Sequence, residues 1–274
     1  MKQLIILLFA AILIIAGCSQ DSPLEPTNDQ IVVRGYIYAG EPVNDIQITT
    51  TLPLGSEEEK APPVNDASVT LLKNGNSYAL VPSAGDSGYY HYEGDDLQIV
   101  PGDVFEIRVK YNGSVTSGKT TVPAPPEDVA ASSNKLTIPT SRIGFGSQDD
   151  STRFIILHWK EDASSLFYVV VENIEENPEP INSFGGFGGN DKIRRRFVFP
   201  PTNNNEFRIQ RFSVSSYGQH IAKVYRVNQE YADLYQSRNQ DSRDLNEPLT
   251  NIENGLGVFS AFASKTVKFT VVSE

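Results

Sequence analysis

The sequence predicts an all-β protein: an N-terminal β-sandwich followed by a second β-rich domain with one short helix. Three observations carry that expectation. Short runs alternate apolar and polar residues with the two-residue period of a strand. Asn74-Gly75 and Asn112-Gly113 each join two such runs, and Asn-Gly is the dipeptide that best accommodates a tight hairpin. Pro123-Ala124-Pro125-Pro126 interrupts strand pairing and marks a boundary.

Taken in order, Gln30 to Ala39 is the first strand, and Glu41 to Pro63, polar and containing Glu57-Glu58-Glu59-Lys60, reads as an inserted loop. Ala67 to Lys73 and Ser77 to Val81 form a hairpin around Asn74-Gly75. Gly88 to Tyr92 is an aromatic strand. Pro101-Gly102-Asp103 turns into Val104 to Tyr111, which alternates cleanly and returns through Asn112-Gly113 into Val115 to Val122. Beyond the prolines, strands are predicted at Lys135 to Ile138, Arg153 to Trp159, Leu166 to Ile174, Ile193 to Phe199, Phe207 to Tyr217 and Ile221 to Val227. A helix follows near Asn228, a good N-cap residue, with Tyr231, Leu234 and Tyr235 on one face. Gly257 to Ala263 and Lys265 to Val272 close the chain as two strands.

The N-terminus carries a different signal. Lys2 precedes an unbroken apolar run from Leu4 to Ala16, the length of a secretory h-region and short of the ~20 residues of a spanning helix. The run ends at Ile15-Ala16-Gly17-Cys18, which has the form of a lipobox. Small residues there let a signal peptidase close around the cut, and the Cys18 thiol is the nucleophile that accepts diacylglycerol. Residues 1–17 are therefore read as a lipoprotein signal peptide and 18–29 as a flexible tether. Residues 30–123 form the N-terminal β-sandwich and 127–274 the C-terminal β-rich domain. Several acyl chains, at about 0.8 kcal/mol per buried methylene, hold a protein stably at a membrane without spanning it. Ser19 after the cysteine, in place of aspartate, points to the outer membrane; the sequence leaves open whether the protein faces the periplasm or the cell surface.

Removing residues 1–17 takes Lys+Arg from 23 to 22 against 34 Asp+Glu, a mature net charge of −12. That balance disfavours nucleic acid as a partner. Cys18 is the sole cysteine, so no internal disulfide or multi-cysteine metal site is expected. His91, His158 and His220 lie far apart and outside any close-set ligand pattern. Nucleophile-elbow, P-loop and H-E-x-x-H patterns are lacking. Gly185 to Gly189 does not sit between a strand and a helix and is read as a loop. Asp95-Asp96 and Asp149-Asp150 are read as turns. Arg194-Arg195-Arg196, the basic cluster, is read as a solvated strand edge that discourages edge pairing. Catalytic residues, metal and cofactor are accordingly expected to be absent. Phe184 and Phe187 stand out because they lie in the glycine loop, where an exposed aromatic can meet a partner.

Four segments carry a family resemblance: Gln30-Ile31-Val32-Val33-Arg34-Gly35-Tyr36-Ile37, Pro63-Val64-Asn65-Asp66-Ala67-Ser68-Val69-Thr70-Leu71, Pro101-Gly102-Asp103-Val104-Phe105-Glu106-Ile107, and Asn251-Ile252-Glu253-Asn254-Gly255-Leu256-Gly257-Val258-Phe259-Ser260-Ala261. Together they resemble the domain of unknown function 4249 family, lipoproteins of Bacteroidota, over nearly the whole mature chain. The first half is also similar to carboxypeptidase-regulatory-like, transthyretin-type sandwiches, and the N-terminal sandwich is expected to be Ig-like/transthyretin-like. The resemblance implies an envelope location and association with a TonB-dependent outer-membrane receptor; it supplies no catalytic residues. Gly255 and Gly257 are read as a tight turn into the last strand. The function expected is that of a non-enzymatic outer-membrane lipoprotein acting as a binding or accessory component. A surface glycan- or peptide-binding protein is the alternative, and a hydrolase assembled only in three dimensions is the third.

Overall fold

A computed structural model describes residues 30–52, 56, 58, 60–139, 153–160, 165–181, 193–237 and 250–274. Sixteen strands are formed among these residues, with one α-helix and one 3-10 turn. The N-terminal strands are β1 (Ile31–Tyr38), β2 (Asp45–Thr50), β3 (Ser68–Lys73), β4 (Asn76–Pro82), β5 (Tyr89–His91), β6 (Val104–Tyr111) and β7 (Ser114–Thr121). Next come β8 (Ala130–Ala131), β9 (Lys135–Ile138), β10 (Ile155–His158), β11 (Leu166–Asn173), β12 (Arg196–Val198), β13 (Glu206–Ile209) and β14 (Gly218–Val227). Helix α1 (Gln229–Ser237), β15 (Ile252–Glu253) and β16 (Leu256–Ser273) finish the chain.

Each Asn-Gly hairpin forms as its dihedrals require. Asn74 and Gly75 have φ of 51° and 82°, Asn112 and Gly113 47° and 79°, the pair of positive values that a type I′ turn needs. The predicted loop from Glu41 to Pro63 contains β2. Its alternation, with Ile46, Ile48 and Thr50 buried, is only six residues long and is masked by polar flanks. The predicted strand Phe207 to Tyr217 stops at Ile209. The Ser213 N–H donates to Gln210 O at 2.7 Å and the Gln210 N–H to Ser213 Oγ at 3.2 Å, and the two bonds close Arg211–Ser213 into the 3-10 turn. The two predicted C-terminal strands are one, β16, of 18 residues.

Hydrogen bonding runs through a sheet in the order β12-β11-β14-β16-β1-β2-β5-β4-β3-β6-β7-β15, with β9 also on β16. At β4 this sheet turns back on itself, because Val81 and Pro82 pair with β5 while Asn76 to Leu80 pair with β3. Between the two layers lies a first core that includes Val33, Ile46, Leu71, Tyr90, Phe105 and Ile107, and with them Ile252, Phe259 and Ala261 from the end of the chain. A separate sheet, β13-β10-β8, covers the other half of the long sheet. It closes a second core around Leu157, Phe167, Val169, Ile209, Val224 and Phe269. β16 therefore supplies both cores.

Along its first half β16 pairs in parallel with β1, from Val32↔Leu256 to Tyr38↔Phe262. β14 takes the opposite edge only from Val227↔Phe262 onward. Ahead of that point the edge is completed by side chains. Asn251 Oδ1 accepts from the Phe259 N–H at 3.0 Å, and its Nδ2 donates to Phe259 O at 2.7 Å and Lys119 O at 2.9 Å. Thr120 Oγ1 accepts from the Ala261 N–H at 3.1 Å. The amide of Asn251 acts as a one-residue strand, which meets the hydrogen-bonding demand of a buried sheet edge.

Gly255 and Gly257 have more to do than turn the chain. A Cβ on Gly257 would stand 2.0 Å from Val33 O, at a φ of 104°; one on Gly255 would stand 2.8 Å from Ile31 O. Their missing side chains let the start of β16 lie against β1.

Candidate functional site

Cys18, Phe184 and Phe187 all lie outside the described residues, as does Gly185 to Gly189. The stems of the segment that holds the two phenylalanines are described, and they are fastened to one another. The Ile181 N–H donates to Ser215 O at 3.0 Å, the Tyr217 N–H to Glu179 O at 2.8 Å, and Ser215 Oγ to Arg194 O at 2.7 Å. The Arg195 guanidinium donates to Glu175 O and Glu176 O at 2.8 and 2.7 Å. Arg211 donates to Val214 O at 3.1 Å and Ile181 O at 3.4 Å.

This frame holds Phe212 out from the 3-10 turn, 81% exposed. Most exposed apolar side chains on a folded protein need no explanation. A phenylalanine ring on a turn closed by the Gln210–Ser213 bonds and by Arg211 does, because the frame fixes it in water. Ile174 and Val198 are also exposed nearby, and Arg194, Arg195 and Arg196 are solvated, Arg196 opening the edge strand β12. Sequence reading missed Phe212 because Arg208, Gln210 and Phe212 look like the solvent face of a continuing strand. The signal that could have found it is the Gln210–Ser213 spacing.

Phe212 lies at the end of the molecule remote from residue 30. Gly218, which starts β14, pairs with Val271, whereas Val32 pairs with Leu256. At about 3.3 Å per residue, those two points on β16 are roughly 50 Å apart.

The three histidines occupy unrelated places. His220 is buried at 2%, stacks on Phe269 at 5.3 Å, and shares its Nδ1 proton with Gly218 O at 3.0 Å. Burial holds its pKa below the usual 6.5. His158 is exposed on β10 opposite Glu206. His91 Nδ1 meets Ser83 Oγ at 3.0 Å. Among the described residues no three of His, Cys, Asp and Glu converge as metal ligands, and no helix is long and apolar enough to cross a membrane.

The outer face of the long sheet, opposite the two cores, carries an aromatic cluster. Tyr168 and Tyr225 stack at 4.7 Å, Tyr38 stacks on Phe262 at 5.1 Å, and Tyr231 of α1 meets Phe262 edge-on at 5.0 Å. Burial raises the Tyr168 and Tyr38 hydroxyls well above the usual tyrosine range, Tyr38 helped by Asp45, whose carboxylate accepts its proton at 3.2 Å. Beside the cluster the face opens to water. There Arg34 lies over the rings of Tyr36 and Tyr89, at 6.0 and 5.4 Å, and bonds to the Tyr89 hydroxyl. An open cleft of about 340 Å³ lies where α1 meets β7, lined by Lys119, Thr120, Thr121, Asn228 and Glu230. Its polar groups are engaged with one another: Thr120 Oγ1 donates to Glu230 Oε1 at 2.6 Å, and Asn228 Nδ2 to Thr121 O at 2.7 Å. Asn228 does begin the helix, and its amide nitrogen is turned to β7.

The family described as Domain of unknown function (DUF4249) matches residues 19–268. The chain belongs to it. The four segments that carry the resemblance fall within that span, and in this DUF4249 chain the C-terminal one builds the β16 edge through Asn251, Gly255 and Gly257. A comparison with curated proteins gives no match. Among solved structures, one of domains A168-A170 from titin aligns at 10% identity and a TM-score of 0.21, over 89% of this chain and 66% of that one. The chain thus spans just under two thirds of the titin segment.

Proposed function

We propose that this DUF4249 chain is an outer-membrane lipoprotein, anchored through acyl chains on Cys18, that works by contact. It is a non-enzymatic binding or accessory component whose partner is a TonB-dependent outer-membrane receptor. The observation that supports a contact role is Phe212: a rigidly framed, exposed aromatic at the end opposite residue 30. Exposed aromatics on rigid supports are favoured anchors at protein interfaces, since little entropy is lost when they are buried. Phe184 and Phe187, in the segment that springs from the same frame, are assigned to the same contact.

Co-purification of the full chain from detergent-solubilised outer membranes tests this. Wild type should bring down a receptor, and Phe212→Ala should lose it several-fold with unchanged folding. Recovery as a lone monomer would count decisively against the reading. The strongest rival chemistry is the Ser83–His91 contact. Hydrolytic turnover by the full chain, abolished in Ser83→Ala and His91→Ala, would overturn the non-enzymatic reading.

The open part of the outer face favours a second reading, capture of a glycan or peptide. Tyr36, Tyr89 and Arg34 there combine ring surface with hydrogen-bonding groups. Tyr36→Ala and Tyr89→Ala should then weaken retention on an oligosaccharide or peptide matrix while leaving receptor capture intact.

A further inference from the structure

On the side of β16 that carries β1, hydrogen bonding stops and then starts again. β1 follows β16 in parallel up to Tyr38↔Phe262, and the Ala39 N–H closes that run on Phe262 O at 2.8 Å. β9 takes the same side from Thr270↔Lys135 to Ser273↔Ile138, opened by the Thr270 N–H on Asn134 O at 2.9 Å. Between the two, no strand among the described residues pairs with this side of β16. The two cores explain the gap. β1 belongs to the first and β9 to the second, and the chain passes between them through Pro123 to Val129 and β8, which pairs with β10.

Parity fixes which groups are left open. In a strand the N–H and C=O of one residue point to one side, and those of the next to the other. Phe262 O and the Thr270 N–H both face this side, and the register of β16 on β14 runs unbroken from Val227↔Phe262 to Gly218↔Val271. Ser264, Thr266 and Lys268 therefore turn their backbone donors and acceptors into the gap, where no group among the described residues meets them. Thr266 and Lys268 are exposed and Ser264 is half-buried. From Ala263 to Phe269 the strand advances roughly 20 Å, which admits an extended segment of about five residues.

The gap is also a basic place, in a chain with 34 acidic residues against 23 basic ones. Lys265 and Lys268 are exposed within it and Lys135 at its β9 end, and none of the three has an ion pair among the described residues. The described acids on the bordering segments are Glu41, Glu127 and Asp128. Glu41 bonds Lys223, the neighbour of Thr266 on β14, and Glu127 bonds Lys160. Asp128 lies within the field of Lys160, as does Arg226, which pairs with Ala263. Cations thus outnumber carboxylates around the open backbone.

We propose that this gap takes a short extended segment of a partner protein, carrying carboxylates, as an added strand in line with β1 and β9. The open backbone supplies the hydrogen bonds and the lysines supply the preference for acidic side chains. A second copy of the same stretch would bring the same lysines and be repelled. The proposal needs neither the acyl anchor nor Phe212.

The probe is a short fluorescein-labelled peptide that alternates valine and glutamate, added to the detergent-solubilised full chain and followed by fluorescence anisotropy. It should bind saturably. Three changes should each weaken it several-fold or more: N-methylation of the peptide amides, exchange of its glutamates for lysines, and Thr266→Pro in the protein. The Thr266 N–H serves no bond of the fold, so proline there removes a donor from the gap and should leave the near-ultraviolet circular dichroism unchanged. Should Thr266→Pro fail to fold, Lys265→Glu combined with Lys268→Glu, both at exposed positions, should reverse the preference toward the lysine peptide. Absence of saturable binding, or equal binding of the N-methylated peptide, would overturn the proposal, the latter by leaving only attraction between charges. Phe212→Ala should leave peptide binding untouched, so that this contact and the receptor contact fail separately.

Discussion

Along β16, residues 256–261 and residues 262–271 face the same problem, an edge that must be paired inside a protein, and meet it differently. The second stretch is paired by β14 over ten residues. The first has β1 on one side and, on the other, two side chains, Asn251 and Thr120. The difference follows from what is available nearby. β14 ends at Val227, where α1 begins, so the first core must close its sheet with groups borrowed from β7 and from the turn before β16. A strand spreads its pairing over many residues, each replaceable. A side-chain substitute concentrates it in one or two residues and in the glycines that let the backbones approach.

That contrast predicts where the molecule is fragile. Gly257→Ala should cause the largest loss, about 4 kcal/mol or more, because its Cβ meets Val33 O at a backbone angle unsuited to other residues. Most of the chain should be recovered unfolded, seen by near-ultraviolet circular dichroism. Phe259→Ala and Phe269→Ala, one in each core, should each cost about 3–5 kcal/mol. Since one strand threads both cores, both should shift a single thermal transition; two separate transitions would mean that the halves of β16 melt independently.

Asn251→Ala should cost about 1–3 kcal/mol by stranding the Phe259 N–H and two carbonyls. Asn251→Asp, which keeps the acceptor and loses the donor, should sharpen the comparison by failing to restore stability. No single exposed residue on the β14 side should matter as much.

A smaller effect comes from His220, paired through β14 to Phe269. Its folded pKa lies below 6.5 because of burial, so the unfolded chain binds the proton more readily. The stability it contributes is complete above about pH 6.5 and is lost as pH falls through the lower folded value. Melting of wild type should therefore drop between pH 7 and pH 5 more than that of His220→Gln. Phe212→Ala should change stability least, by no more than about 0.5 kcal/mol, while weakening partner capture several-fold. A large loss of stability there would mean that the ring is structural.

The hairpins were legible because Asn74-Gly75 and Asn112-Gly113 encode their own turn geometry within two residues. β2 was hidden by its short run among acidic flanks, and the 3-10 turn by a polar–apolar pattern compatible with a strand. The terminal Asn251 to Phe259 motif was visible as a resemblance, but its role was not, since Lys119, Val33 and Ile31 are distant in sequence. Of the candidate site, the Gln210–Ser213 spacing hinted at the turn that carries Phe212, but the frame around it could not be read, because Arg195, Arg211 and Ser215 meet only after the strands around them have paired.

What the sequence determined alone is whatever depends on neighbours along the chain: the all-β class, the two Asn-Gly hairpins, the helix at Asn228 and the acidic balance. What tertiary structure decided is whatever depends on residues brought together across long gaps. It joined two predicted strands into β16, shared that strand between two cores, made Asn251 the substitute for a missing neighbour, and set Phe212 at the end opposite residue 30. The reason is that the strand period fixes which face a residue takes, whereas sheet order and register are settled only when every edge, buried amide and close backbone approach is accommodated at once.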